Sequence, residues 1–426
     1  MRAQELLRSL RAGRFDETLR AAYGAQPPGG VKERIESVVE GFRERFDPEG
    51  ERDLMVFSAP GRTELGGNHT AHQGGWVLAG SVDMDTLACV ARGGGPLIRL
   101  HSEGHAPVEL DVGGTAARDS ERGRSSSLVR GIAARIGARG YPLGGFDAYT
   151  ETRVLRGSGL SSSAAFEVLA GRIMDELFCG GALGATEIAK IGQYAENVYY
   201  GKPCGLMDQL ACATGGVISI DFADPENPAV RRCAVDFARE GYALVVIDSG
   251  ANHADLDGEY AAIPSEMGRV ARCFGKDRLC DVDEALFLRE RGRVLGECGE
   301  RPVLRAEHYF AETKRAAAQY GALERGDFAA YLGLVRASGE SSEKKLQNVS
   351  IDRPDGDRLL RVIRAARSLA GETGAARVHG GGFAGTAQAY VPLARLGAFV
   401  AGMEAEFGAG CCHTVQIRNV GAVRLI

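Results

Sequence analysis

The stretch Arg156-Gly157-Ser158-Gly159-Leu160-Ser161-Ser162-Ser163-Ala164-Ala165 joins a strand-like run, Phe146–Thr152, to an amphipathic helix. Ala165, Leu169, Ile173 and Leu177 lie four apart and so share one face of that helix. Glycines let a backbone turn tightly and approach a ligand, while serines supply hydroxyls and an N-terminal cap. A helix start also presents amides that favour an anion. Strand, Gly/Ser loop and helix together describe a phosphate cradle. It is not the Walker loop, since no Gly-Lys-[Ser/Thr] follows. It is not the dinucleotide fingerprint either, which needs a third glycine and an acidic residue closing a βαβ unit. Standing alone, the segment could equally be a capped helix with a loose entry.

It does not stand alone. Downstream lies Ala195-Glu196-Asn197-Val198-Tyr199-Tyr200-Gly201-Lys202-Pro203-Cys204-Gly205-Leu206-Met207-Asp208-Gln209. Phosphoryl transfer needs a divalent ion, oxygen ligands for it, positive charge near the phosphates and a placed acceptor hydroxyl. A serine and one carboxylate can hold the ion; a second carboxylate can orient the acceptor. Asp208, among small and apolar neighbours, suits a role beyond a solvated surface charge. Upstream, Ser58–Gly75 joins a strand to a glycine-rich loop carrying Arg62, His69, His72 and amide side chains, a set that fits a hydroxyl-rich ligand. Two histidines without a third ligand nearby argue against zinc. The run Ala375–Gly385, with three consecutive glycines at 380–382, reads as a tight turn between strands or a backbone pressed against a ligand or loop.

Around these segments the chain is ordinary for a soluble protein. Its 426 residues predict two domains, or three. With 51 Lys+Arg against 56 Asp+Glu the net charge is −5, so no nucleic-acid partner is expected. No apolar run approaches the roughly 20 residues of a membrane span. The charged start, MRAQELLRSLRAGRF, does not read as a signal peptide. Ten scattered cysteines without a C-x-x-C pair then predict reduced thiols and a cytoplasmic location. Residues 1–50 read as a helical extension in two pieces, the second with Val31, Ile35, Val38 and Phe42 at helical spacing. In the helix before Asp208, the residues Ile188, Ile191, Ala195 and Val198 predict one buried face. Ala223–Pro228 is the expected hinge, giving domains over 51–228 and 229–426, the second with a largely helical middle near 262–372. Helices and strands without strict alternation favour α+β layers.

The four segments resemble the GHMP kinases and, within them, the galactokinase family. Pro60–Gly75 is similar to that family's P-G-R-V-N-L-I-G-E-H-T-D-Y-N-G-G signature, and Gly157–Ala164 to its ATP-binding G-x-G-L-S-S-S-A loop. Gly201–Gln209 is close to its G-x-P-C-G-I-M-D-Q, and Arg377–Gly385 to its R-M-T-G-G-G-F-G-G. The resemblance runs from residue 60 to 385, is silent on 1–50 and is loose over 262–372. It implies an N-terminal ribosomal-protein-like α+β domain, a C-terminal ferredoxin-like α+β domain and a site between them. It further implies ATP and Mg²⁺ and a sugar substrate; no nucleic-acid or membrane partner is expected from the composition, and the oligomeric state is left open, a monomer included. Gly157, Ser158, Gly159, Leu160, Ser161, Ser162 and Ser163 would wrap the ATP phosphates, with Ser163 and Glu196 holding the metal. Asp208 and Arg62 would be catalytic; Asn68, His69, His72, Gly205, Asp208 and Tyr260 would meet the sugar.

Two positions depart from the signature. Asn68 stands where the family has Glu, and Ala71 where it has Asp. The resemblance implies that the missing carboxylate would accept from two sugar hydroxyls. A hydrogen bond to a charged group contributes about 1.5–3 kcal/mol. The expectation is therefore a sugar-1-kinase, galactose first, with affinity for galactose reduced unless His72 compensates. A kinase for another sugar's anomeric hydroxyl, or a non-catalytic sugar or nucleotide sensor, is the alternative.

Overall fold

The computed structural model describes residues 1–24, 27–154, 159–251 and 256–426. Among these residues twelve strands follow in chain order: β1 (Met55–Gly66), β2 (Trp76–Arg92), β3 (Leu97–Ser102), β4 (Val108–Asp111), β5 (Phe146–Thr152), β6 (Val217–Asp221), β7 (Ala229–Cys233), β8 (Tyr242–Asp248), β9 (Ala375–His379), β10 (Thr386–Pro392), β11 (Cys412–Val415) and β12 (Val423–Arg424). They form two sheets. The first runs β12-β1-β2-β5-β3-β4, with β6 and β7 added along β2. Helices Ser125–Gly137, Ser162–Met174, Ala185–Tyr194 and Met207–Thr214 cover one face, and their apolar sides merge with the sheet in the main core around Phe57, Leu78, Val168 and Leu210. Mixed layers of this kind are the α+β architecture that the sequence predicted.

The second sheet is antiparallel in the order β11-β8-β10-β9. Chain order β8–helices–β9–β10–helix–β11 makes it a ferredoxin-like βαββαβ unit. Its first crossover is swollen by the helices between Asp257 and Ala370, the helical middle seen in the sequence. No helix among the described residues is long and apolar enough to cross a membrane.

Three features differ from the sequence reading. The Ala223–Pro228 stretch joins β6 to β7 within the first sheet, so it does not separate the sheets, and the chain's end returns as β12 to pair with β1. A turn and a domain linker share the same Asp/Pro/Asn chemistry, and only pairing distinguishes them. Strand β1 continues through Pro60-Gly61-Arg62 to Gly66, where a glycine-rich loop was expected after Phe57. Register shifts against β2 at Pro60/Arg62 and Glu64/Gly66 absorb the proline and the glycines as bulges. Finally, Val198 is exposed rather than on a buried face. The helix Ala185–Tyr194 continues as a π-helical turn over Ala195–Tyr200, which shifts the side-chain phase and leaves Glu196 buried.

The N-terminal extension is built in rather than appended. Leu6, Leu10, Ile35, Val38 and Phe42 pack with Val56, Leu87 and Cys89 on the face of the first sheet opposite its main helices. Beneath them Asp85, fully buried, accepts from Tyr23 Oη at 2.5 Å, Arg34 Nη1 at 2.6 Å and Arg418 Nη1 at 3.1 Å. One carboxylate thus ties the first fifty residues to the last ten.

Candidate active site

Strand β1 carries Arg62 to the centre of the molecule, where its bulge turns the guanidinium toward helix Met207–Thr214. Arg62 Nε donates to Asp208 Oδ1 at 2.7 Å and Nη2 to Oδ2 at 2.5 Å, a bidentate pair. Ser161 Oγ donates to the same Oδ2 at 2.7 Å. Burial alone would push the Asp208 carboxyl up; the charge of Arg62 and these hydrogen bonds outweigh it and hold Asp208 below the usual carboxylate range. Asp208 is therefore an anion held in a fixed orientation.

The backbone at Gly159 and Leu160 closes over this pair. Arg62 Nη1 donates to the Gly159 carbonyl, and the Arg62 amide donates to the Leu160 carbonyl at 2.9 Å. Gly159 has φ +73°, and a Cβ there would meet His379 Nδ1 at 2.8 Å, so the close packing of loop and second sheet needs glycine. Ser161, expected among the capping serines, sits at φ +58° with no side-chain cap; its hydroxyl serves Asp208 instead. A non-glycine residue in this region costs of order 1–3 kcal/mol and is found where surrounding contacts impose it. Leu160 points into the core. Gly157 and Ser158 lie outside the described residues.

Ser162 and Ser163, in the first turn of helix Ser162–Met174, open onto a cleft of about 630 Å³. Its walls include Thr86, Thr152, Ser125, Phe166, Glu196, Tyr200 and Lys202. Ser163 Oγ donates to Glu196 Oε1 at 3.4 Å, and Lys202 Nζ lies 3.5 Å from the same oxygen. These are two hard oxygens side by side, the donor type that Mg²⁺ takes, so Ser163 and Glu196 could contribute to holding such an ion. No group of three His, Cys, Asp or Glu suited to a metal occurs among the described residues.

On the far side of Arg62, the signature loop meets the second sheet. Asn68 is fully buried: Nδ2 donates to Glu64 Oε1 at 3.0 Å and to the Gly380 carbonyl at 2.6 Å, while Oδ1 accepts from Asn348 at 2.9 Å and Ser342 at 3.3 Å. Expected at the sugar, Asn68 faces protein on every side, and it anchors the loop to both sheets. His69, at φ +56°, donates from Nε2 to the Gly381 carbonyl at 2.9 Å, and burial drives its imidazole down to about 4. His72 is exposed, its ring 5.9 Å from that of His69. Tyr260 Oη donates to the Gly382 carbonyl at 2.9 Å. Gly205 is exposed, with open space where a Cβ would sit. The triple glycine presses against protein: a Cβ on Gly382 would lie 2.1 Å from the Asn348 carbonyl and one on Gly381 2.7 Å from the Tyr260 ring.

Three contributors escaped the sequence reading. Lys202, inside a quoted motif, reaches the Glu196 carboxylate. Gln209 donates to both Glu167 and Glu196. Arg377 pairs with Glu64 at 2.7 Å and, with Gln388 donating to Thr63 Oγ1 at 2.7 Å, fastens β9 and β10 to β1. The charge of Lys202, close in sequence to Glu196, was the one available signal; the other two needed the fold.

Comparison with known proteins bears on the family and the fold. Residues 127–216 match the family model "GHMP kinases N terminal domain", and residues 40–92 match "Galactokinase galactose-binding signature". The chain is 32% identical to a galactokinase from Streptomyces coelicolor over 92% of its own length and 98% of the relative's. Among solved structures it resembles Lactococcus lactis galactokinase complexed with galactose (24% identity, TM-score 0.76, 90% of this chain and 98% of that one). It also resembles Methanococcus jannaschii mevalonate kinase (14% identity, TM-score 0.62, 87% of this chain and all of that one). Those two likenesses speak to the fold; the Streptomyces relative, aligned over nearly its whole length, decides the family. The chain belongs to the galactokinase family of GHMP kinases.

Proposed function

We propose that the protein transfers the γ-phosphoryl group of ATP to the anomeric hydroxyl of galactose. The observation that carries this reading is the Asp208 carboxylate, fixed by Arg62 and Ser161 where the phosphate loop and the sugar signature meet. The nucleotide would occupy the cleft, its phosphates against Gly157–Ser163 and Lys202. Mg²⁺, when bound, offsets phosphate charge, and Ser163 Oγ with Glu196 Oε1 would hold it. Asp208 would accept the hydrogen bond of the anomeric hydroxyl and aim its oxygen at the phosphorus; Arg62 would meet charge developing on the phosphoryl oxygens. While paired with Arg62, Asp208 is a weak base. As Arg62 turns to phosphate, the carboxylate loses its main stabiliser and its affinity for a proton rises, so orientation and proton acceptance become successive roles of one group.

His69, His72, Gly205 and Tyr260 remain the side of the site assigned to the sugar. Ala71 offers no carboxylate there, so galactose should bind more weakly than in relatives carrying Asp. The test is ADP release coupled to a sugar panel that includes C4 epimers and 2-acetamido derivatives. Turnover highest on galactose, with a raised KM, is the expected result. Folded protein with Mg²⁺-ATP and no turnover on any sugar would remove the proposal.

A further inference from the structure

Behind the carboxylate assigned to the metal lies a second, wholly enclosed carboxyl group. Glu167 sits one turn after Ser163 on the same helix and is fully buried, as is Gln209, the neighbour of Asp208. Gln209 Nε2 donates to Glu167 Oε2 at 2.9 Å and to Glu196 Oε2 at 3.0 Å, so the two amide hydrogens are divided between the two carboxyls. Glu196 Oε2 is thereby occupied from behind, and Oε1 is the oxygen left toward Ser163 and Lys202. Two atoms in this group, Glu167 Oε1 and Gln209 Oε1, are buried acceptors without a donor. A buried polar atom left unpaired is costly, and both of these belong to the pair that the Gln209 amide joins through Glu167 Oε2.

We propose that Glu167 is a positioning residue that works through the side-chain amide of Gln209 to keep Glu196 turned with Oε1 toward Ser163. It touches neither nucleotide nor sugar. The inference rests on the assignment of Ser163 and Glu196 as metal ligands. It adds that the serine, the carboxylate and the catalytic Asp208 are held in mutual register by one buried pair: Glu167 from the helix that bears Ser163, Gln209 from the helix that bears Asp208. Outer groups that orient a metal ligand commonly alter metal affinity about 10–100-fold when removed.

The test measures Mn²⁺ binding in the presence of ADP, read from the loss of the free-ion electron paramagnetic resonance signal, alongside the KM values for Mg²⁺-ATP and for sugar. Glu167→Leu should weaken Mn²⁺ binding about tenfold and raise the KM for Mg²⁺-ATP in step, with the sugar KM within about twofold. Glu167→Gln should restore both, because its side-chain carbonyl can accept from Gln209 Nε2 as Glu167 Oε2 does. Should Glu167→Leu fail to fold, Gln209→Met should show the same loss with Glu167 in place. Wild-type affinity in Glu167→Leu or Gln209→Met, or a Glu167→Gln variant as impaired as Glu167→Leu, overturns the proposal. Wild-type protein that takes up no Mn²⁺ with ADP instead overturns the metal assignment itself, and the relay with it.

Discussion

Asp208 and Arg62 show how far a single residue could be read in advance. The acidic group, the guanidinium and the serine loop were legible because phosphoryl transfer asks for those residue types, and a motif places them in order. That Ser161 spends its hydroxyl on Asp208, or that Asn68 is sealed inside the protein, depends on where the second sheet docks. Asp208→Asn keeps the shape and removes the anion. Turnover should fall by about 10²–10⁴ while ATP affinity, measured by fluorescence titration, stays within about twofold. Asp208 is held below the usual range and His69 is lowered to about 4, so both keep one charge state from neutrality down to weak acid. Accordingly kcat/KM for sugar should show no acid limb arising from either group between about pH 8 and pH 5. A limb near pH 6.5 that vanishes in a His69 variant would contradict this placement. At position 71, Ala71→Asp should lower the galactose KM by about tenfold or more, the value of one regained charged hydrogen bond. An unchanged or higher KM would mean that the pocket is shaped around a different sugar.

At the scale of the element, periodicity found the helices but not their phase. Ile188, Ile191 and Ala195 are buried as spaced, and the π-helical turn then carries Val198 to the surface and Glu196 inward. Nothing in a run of apolar residues announces such a turn, which brings Glu196 against Gln209 and Ser163. The phase shift predicts opposite outcomes for two similar substitutions. Val198→Asp should change stability by no more than about 0.5 kcal/mol, whereas Ile191→Asp, burying a charge without a partner, should lose 3 kcal/mol or more in denaturant titrations, by order of magnitude. Strand β1 carries the same lesson from the other direction. Its glycines and proline suggested a loop, yet pairing with β2 on both sides of two bulges keeps the segment a strand and aims Arg62 into the site.

The whole molecule is closed by contacts that no local pattern reveals. Asp85 joins the N-terminal helices to the segment between β11 and β12, and removing it leaves Arg418 buried without its anion and Arg34 with Glu151 alone. Asp85→Ala should therefore cost about 3–5 kcal/mol, seen as a large drop in Tm with the active-site residues untouched. Buried histidines set the acid response of the fold. His308 and His379 are enclosed, and burial lowers both below their ordinary value. In the unfolded chain they take up protons below about pH 6.5 and in the folded chain they resist, so stability is full above that pH and falls as pH drops through it. Thermal melts from pH 8 to pH 5 should show that decline begin near pH 6.5. The family, the two-layer α+β plan and the four glycine-rich segments could be read from the residues alone; the return of the chain end and the docking of one sheet on the other could not. The central claim is that these parts converge to phosphorylate a sugar at its anomeric oxygen. Phosphorus NMR of the product formed from galactose, ATP and Mg²⁺ tests it most directly. A phosphomonoester resonance coupled to the anomeric proton, absent with Asp208→Asn, is the predicted result. Phosphate on another hydroxyl, or ADP formed with no phosphorylated sugar, would contradict it.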